Sequence, residues 1–114
     1  MEELNSMQNY GAEDQLFITT ADNVTLTPLQ TTVTLIMSET GNFTITLPPA
    51  ALVRGRHISI YAQDIHASGN TVTIADTTGA SRDFPVNDTI TADDDHVLLY
   101  SDGVRYIWVK DVTT

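Results

Sequence analysis

The sequence predicts an all-β fold: a compact antiparallel β-sandwich, or a small barrel or β-prism, of about eight to ten short strands with an extended N-terminal arm. Turn-forming residues recur about every eight to twelve positions, as in such folds. In addition, four segments share a pattern in which Asn precedes a run that alternates Thr with an apolar residue. They begin at Asn23, Asn42, Asn70 and Asn87. Because successive side chains of a strand point to opposite faces, each run buries one apolar face and presents Thr on the other.

The Asn at the start of each run is interpreted as a turn residue, because Asn tolerates left-handed backbone and bonds its own main chain. The four segments begin 19, 28 and 17 positions apart. Such uneven spacing argues against a solenoid with a fixed repeat.

The N-terminal segment, residues 1–16, carries four acidic side chains and only scattered apolar positions. Its periodicity supports no strand, so we expect an extended arm or one weak helical turn. A partner-contacting arm would use the apolar side chains Leu4, Met7 and Tyr10, and the alternative is a frayed terminus. Residues 17–114 form the predicted single β domain, which is long enough to bury a core of its own.

The first half of this domain divides into four predicted strands and one short turn. Pro residues mark two of the strand ends, since Pro cannot donate to a ladder. Residues 49–55 are predicted to form one helical or 3₁₀ turn, which Gly55 ends. The strands are predicted over residues 17–20, 24–27, 32–37 and 42–47.

The second half is predicted to contain six further strands, of which the one near Phe84 is weak. Asp102-Gly103 lies between the last two, and Asp-Gly between strand-forming runs is a strong hairpin signal. The six are predicted over residues 57–63, 71–75, 84–86, 89–91, 96–100 and 105–109.

Charge and composition argue against a nucleic acid partner, disulfides, thiolate sites and a membrane span. Fifteen acidic against five basic residues give a net charge of −10, the wrong sign for binding a nucleic acid backbone. Cysteine is absent, so disulfides and thiolate sites are excluded. No stretch has the roughly 20 apolar residues of a membrane span. The acidic start lacks a secretory signal, and we expect a product made in the cytoplasm.

No arrangement of residues predicts an enzyme, a cofactor or a metal site. The three His residues lack ligand spacing, and Ser101 belongs to a hairpin and not to a nucleophile elbow. The run Asp93-Asp94-Asp95 resembles the clustered carboxylates that hold calcium but lacks the ligand spacing of a calcium loop. We interpret it as a solvated turn, and calcium binding at these three residues stays open.

Besides the side chains of the arm, three residues of the β domain are candidates for a protein interface. Arg54 and Arg56 flank Gly55 and concentrate positive charge on an acidic chain, which suits either an interface or a solvated loop. Trp108 shares one strand face with Tyr106, and a sole Trp is either an interface anchor or, as we favour here, part of the core. An exposed platform of Trp108 with Tyr100 or Tyr106 would instead favour sugar binding.

The order of motifs over residues 41–110 is more specific than any one of them. An aliphatic–Thr strand ends in Leu47-Pro48, a short link leads to Gly55, and an apolar strand contains Ile58 and Ile60. A Gly-Asn turn then precedes Val72-Thr73-Ile74, and a closing hairpin contains Ser101-Asp102-Gly103 and Trp108. This order resembles a β-module of tailed-bacteriophage virion proteins, which include capsid decoration proteins and fibre or tail proteins.

The resemblance implies a non-enzymatic structural protein that forms a homotrimer or another small oligomer on the outer surface of the virion. Nothing in the sequence resembles a fibre shaft or a tail-docking domain, which favours a capsid decoration (cement) protein that binds the major capsid protein. Its synthesis would take place in the cytoplasm of the bacterial host. The alternatives are a tail fibre, spike or other tail-associated module, and a carbohydrate-binding adhesion domain.

Overall fold

Along the first two-thirds of the chain, the strands alternate between two sheets. A computed structural model describes residues 15–65, 70–76 and 89–112, with side chains described as far as Val109. The five-stranded sheet has the order β1-β3-β5-β8-β9 and the four-stranded sheet the order β2-β4-β6-β7. The strands are β1 Gln15–Ile18, β2 Val24–Thr25, β3 Thr32–Ile36, β4 Phe43–Thr46, β5 His57–Asp64, β6 Val72–Ala75, β7 Thr89–Ile90, β8 His96–Ser101 and β9 Tyr106–Val112.

Four strand pairs are parallel: β1 with β3, β3 with β5, β2 with β4, and β4 with β6. The chain therefore winds through three stacked coils, each of which contributes one strand to each sheet. Gln15 lies beside Thr32 and Thr32 beside Ser59, which are 17 and 27 positions apart. The links differ in length because surface connections tolerate insertions at small entropic cost.

This topology confirms the predicted compact all-β fold and corrects one detail. Antiparallel pairing was expected throughout, yet it is confined to β5–β8, β6–β7 and β8–β9 among the described pairs. The uneven spacing argued against a solenoid with a fixed repeat, and the stacked coils indeed differ in length. Stacking requires a matching register between strands, and the links need not have equal length.

The four Asn-led segments supply all four strands of the smaller sheet, β2, β4, β6 and β7. The predicted alternation is clear in β4, where Phe43 and Ile45 are buried and Thr44 and Thr46 are half-buried. Together with the inner face of the five-stranded sheet, these apolar positions form one core. Packing of the two inner faces stabilises the fold.

The Asn side chains link successive coils. Asn23 Oδ1 accepts a hydrogen bond from the N–H of Thr44 (2.8 Å), and Asn42 Oδ1 accepts one from Thr71 (2.9 Å). The expectation that each Asn bonds its own main chain is thus replaced by a bond to the next coil, which parallel stacking brings alongside. Asn70 is 1% exposed and bonds back to the preceding coil. Asn87 lies outside the described residues.

The remaining elements follow the predictions closely. Ala50–Val53 forms the expected 3₁₀ turn, and Gly55 follows it with φ +81°, a left-handed conformation that favours Gly. The first strand starts at Gln15, two residues before the predicted start of the domain. The rest of the predicted arm, residues 1–14, and the weak strand over 84–86 lie outside the described residues. Within the described residues, no helix is long and apolar enough to cross a membrane.

The predicted hairpin joins β8 to β9. Asp102 Oδ1 accepts hydrogen bonds from the N–H groups of Val104 (2.8 Å) and Arg105 (2.9 Å), and Gly103 has φ +93°. The Asp102 carboxylate therefore accepts hydrogen bonds from two backbone N–H groups of the turn, which lie outside the β8–β9 ladder.

Acid should loosen this hairpin. The N–H groups of Arg105 and Val104 hold the pKa of the Asp102 carboxyl below its usual value. The stability that this carboxylate contributes is present above its unfolded pKa, about 4, and is lost as the pH falls through the lower folded value. We expect the amide resonances of Val104 and Arg105 to titrate with a midpoint below 4 in the wild type and to lose this step in Asp102→Asn. Identical titration of both proteins would contradict the assignment.

Candidate interaction surface

The outward-facing side of β5 and β8 brings two aromatic–histidine pairs together. Tyr61 lies opposite His96 and His57 opposite Tyr100 in the strand register. The ring centroids are 6.3 Å apart in the first pair and 5.1 Å in the second, and both pairs are tilted. These positions face outward because Ile58, Ile60 and their neighbours in β8 occupy the buried face.

Apolar side chains extend this surface. Tyr61 is 37% exposed and Val109, on β9, is 51% exposed, while Leu98 is half-buried between them. Exposed apolar groups on one sheet face favour contact with another protein. We call this surface the outer face; it comprises His57, Tyr61, His96, Leu98, Tyr100 and Val109.

Opposite charges flank the two ends of the outer face. Arg54 and Arg56 precede β5, whereas Asp64 ends it and Asp93 and Asp94 precede the antiparallel β8. The two ends of β5 are about 23 Å apart at the usual rise per residue of a strand. The outer face therefore has a basic end and an acidic end.

Both arginines of the basic end are exposed, and each has a contact that orients it. Arg56 Nη1 donates to the carbonyl oxygen of Pro28 at 3.2 Å. The stem of Arg54 lies against Gly103, where an added Cβ would come within 2.8 Å of the Arg54 Cδ atom. Oriented, solvent-exposed guanidinium groups are suited to binding carboxylates of another protein.

The three carboxylates of the acidic run have separate structural partners. Asp93 Oδ1 accepts from the N–H of Ile65 (2.8 Å), and Asp94 Oδ1 accepts from the Tyr61 hydroxyl (2.8 Å), which raises the pKa of Tyr61. Asp95 is 2% exposed, and its Oδ2 accepts from Thr91 and Ala92, each at 3.1 Å. Asp95 is therefore a buried capping residue, which corrects its interpretation as part of a solvated turn.

Calcium should leave the stability of the protein unchanged. Within the part of the chain that the structure describes, no three His, Asp or Glu side chains are grouped so that they could hold a metal ion. One oxygen of each carboxylate in the acidic run already accepts a hydrogen bond from a structural partner. Thermal unfolding in excess calcium and in excess chelator should give the same melting temperature, and a calcium-dependent rise would contradict this reading.

The sequence-predicted interface residues are spread over different parts of the fold. Arg54 and Arg56 lie together at the basic end, whereas Trp108 packs against the core from the inward side of β9. Tyr106 is fully buried, and Tyr100 lies on the outer face of β8 whereas Trp108 packs inward, so neither forms with Trp108 the exposed platform that would have favoured sugar binding. Leu4, Met7 and Tyr10 lie outside the described residues, and their role stays a prediction.

Sequence reasoning missed the aromatic–histidine pairs. The alternation in residues 57–63 and 96–100 contained half of the signal, because it assigns Tyr61 and His96 to the unburied faces of their strands. The sequence did not show that β8 lies beside β5, because this pairing joins residues more than 30 positions apart. No local pattern encodes that pairing.

Comparison with models of known protein families, with curated proteins and with solved structures finds no match to this chain. A proposal for its function must therefore come from the surface geometry and from the resemblance of its motif order.

Proposed function

We propose that this chain is a non-enzymatic structural protein of a tailed-bacteriophage virion, and specifically a capsid decoration protein. The observation that carries the proposal is the outer face, which presents aromatic and apolar side chains between a basic and an acidic end. It would bind the outer surface of the head and stabilise it by bridging subunits of the major capsid protein. The resemblance of residues 41–110 to phage virion modules supports the same assignment.

The physics of such a role suits this scaffold. The outer face belongs to a five-stranded sheet whose inner side packs into the common core, so little conformational entropy is lost when this face binds. Aromatic groups contribute a large share of binding free energy in protein interfaces, and flanking charges select orientation. A protein that binds only the assembled shell stabilises that shell by mass action.

The decisive experiment uses purified particles with and without the protein. Particles that carry it should withstand higher temperature or stronger osmotic shock than particles that lack it, and labelling should locate it on the head. Complete particles without the protein that are equally robust would refute the cement role.

A matched pair of variants tests the surface itself. Tyr61→Ser combined with Val109→Ser removes apolar area from the outer face, while Leu52→Ser combined with Val104→Ser removes similar area at sites 60% and 65% exposed elsewhere. The first variant should bind particles at least about tenfold more weakly, and the second should bind like the wild type. Equal binding by both variants would exclude the outer face as the contact surface.

A tail fibre, spike or other tail-associated module is the second candidate. The stacked parallel coils favour it, because such coils can be extended by further coils or copies along one axis. Labelling of particles distinguishes the two roles: signal at the tail would support the tail assignment and exclude decoration of the head.

A further inference from the structure

Among the described strands, two edges without a paired neighbour lie at one end of the coil stack. β1 is an edge strand of the five-stranded sheet and β2 is an edge strand of the four-stranded sheet, and both belong to the first coil. No described strand pairs with the outer edge of either. An uncovered strand edge offers backbone donors and acceptors to another chain.

Between these two edges lies a groove of about 250 Å³, formed by residues 16–20 and 22–24. Leu16 and Val24 pack against the core yet are only half-buried, and Phe17 is 58% exposed. Side chains of the core therefore reach the end of the stack, and no layer within residues 15–65, 70–76 and 89–112 covers them. Stacked-coil proteins commonly need such a terminal layer.

Charge is sparse in the sequence around this groove, although Asp22 lines the groove and Glu39 accepts a hydrogen bond from the N–H of Ala21. Between Gln15 and Ser38, Asp22 is the only ionisable residue, although the whole chain contains 15 acidic residues and has a net charge of −10. β1 itself, Gln-Leu-Phe-Ile, has neither the Lys nor the Pro that usually protects an edge strand from pairing. Depletion of charge is typical of the centre of a protein interface.

We propose that the β1 edge is a self-association site, at which β1 pairs antiparallel with β1 of a second copy across a twofold axis. A second copy fits because a twofold contact places the same uncharged surface on both sides. Two chains of like net charge then meet along β1, which has no ionisable side chain, while Asp22 of each copy lies beyond the end of the strand. Pairing extends the five-stranded sheets across the axis and covers Phe17 and the groove. The proposal is independent of the proposed virion role.

Engineered cysteines test the pairing directly, because the chain contains none of its own. Single variants Gln15→Cys, Phe17→Cys and Thr19→Cys sample the exposed positions along the edge, and Val104→Cys at the 65% exposed hairpin tip is the control. Under mild oxidation, at least one edge variant should form a covalent dimer about tenfold or more faster than the control, since pairing holds the two thiols at a high effective concentration. Equal rates at all four positions would overturn the proposal.

Sedimentation of the full chain gives an independent measurement. The wild type and Val104→Lys should be dimers, and Phe17→Lys should be a monomer with unchanged circular dichroism. A monomeric wild type would overturn the proposal, and β1 amides that resist deuterium exchange in that monomer would show that another part of the chain covers the edge. A Phe17→Lys variant that stays dimeric would also overturn it. Failure here leaves particle binding through the outer face unaffected, so the two proposals can fail separately.

Discussion

Replacing Asn70 with alanine should lower the free energy of unfolding by about 2–3 kcal/mol, the cost of leaving buried polar groups without partners. The Asn70 amide is 1% exposed and joins the last coil to the one before it. Its Oδ1 accepts from the N–H of Gly41 (2.5 Å), and its Nδ2 donates to the carbonyl oxygen of Glu39 (2.9 Å). In the variant, both backbone groups lose their partner at a partly buried site.

The matched control for this prediction is Asn42→Ala. Asn42 is exposed, and its Oδ1 accepts a hydrogen bond from the next coil that water can replace, so the loss should stay below about 1 kcal/mol. Urea unfolding of the three proteins, compared at equal m-values, measures both differences. Equal losses for the two variants would show that burial of the Asn70 amide adds nothing.

Removing the side chain of Tyr106 should destabilise the protein more than any single hydrogen bond does. Tyr106 is among the largest fully buried side chains, and its hydroxyl donates to the carbonyl oxygen of Pro48 at 2.5 Å. This contact ties β9, at the edge of one sheet, to the end of β4 in the other. Tyr106→Ala should cost about 3–5 kcal/mol through the cavity that it leaves, and Tyr106→Phe about 1–2 kcal/mol through the unpaired carbonyl.

Alkaline pH tests how much the buried, neutral hydroxyl of Tyr106 contributes to stability. Burial, with a smaller effect of Asp76, raises the pKa of its phenol well above the usual value. The folded pKa therefore exceeds the unfolded pKa of about 10, so the stability contributed by the neutral phenol is present below pH 10 and is lost as the pH rises. We expect the stability of the wild type to fall more steeply above pH 10 than that of Tyr106→Phe. Parallel curves would contradict burial of the phenol in the folded state.

Local features of this fold could be predicted from the sequence, and long-range ones could not. Alternation identified the buried faces of β4 and β6, and Asp102-Gly103 identified the hairpin, because each depends on neighbouring residues alone. The direction of pairing depends on which distant strand lies alongside. Val24 pairs with Ile45, and Phe43 with Val72, across links whose sequences carry no signal for parallel stacking.

The candidate surface likewise has parts that the sequence could predict and parts that it could not. Arg54 and Arg56 were identifiable because positive charge is rare in this chain. The outer face was not, since Tyr61 and His96 become neighbours only through the pairing of β5 with β8. Asp95 shows the opposite error: its sequence neighbours suggested solvent exposure, but the N–H groups of Thr91 and Ala92 bind its carboxylate in a buried turn.

The coil topology also has a consequence for the order in which the fold assembles. The parallel pairs join strands 17–29 positions apart, whereas β8 and β9 are separated by the four residues of a tight turn. Short-range hairpins form in microseconds, and pairs that close long loops form more slowly. Among the described strands, β8 and β9, the pair that we expect to form fastest, are thus synthesised last. We expect folding to start at this hairpin, to add β5 beside it, and to add the coils in the reverse of their order of synthesis.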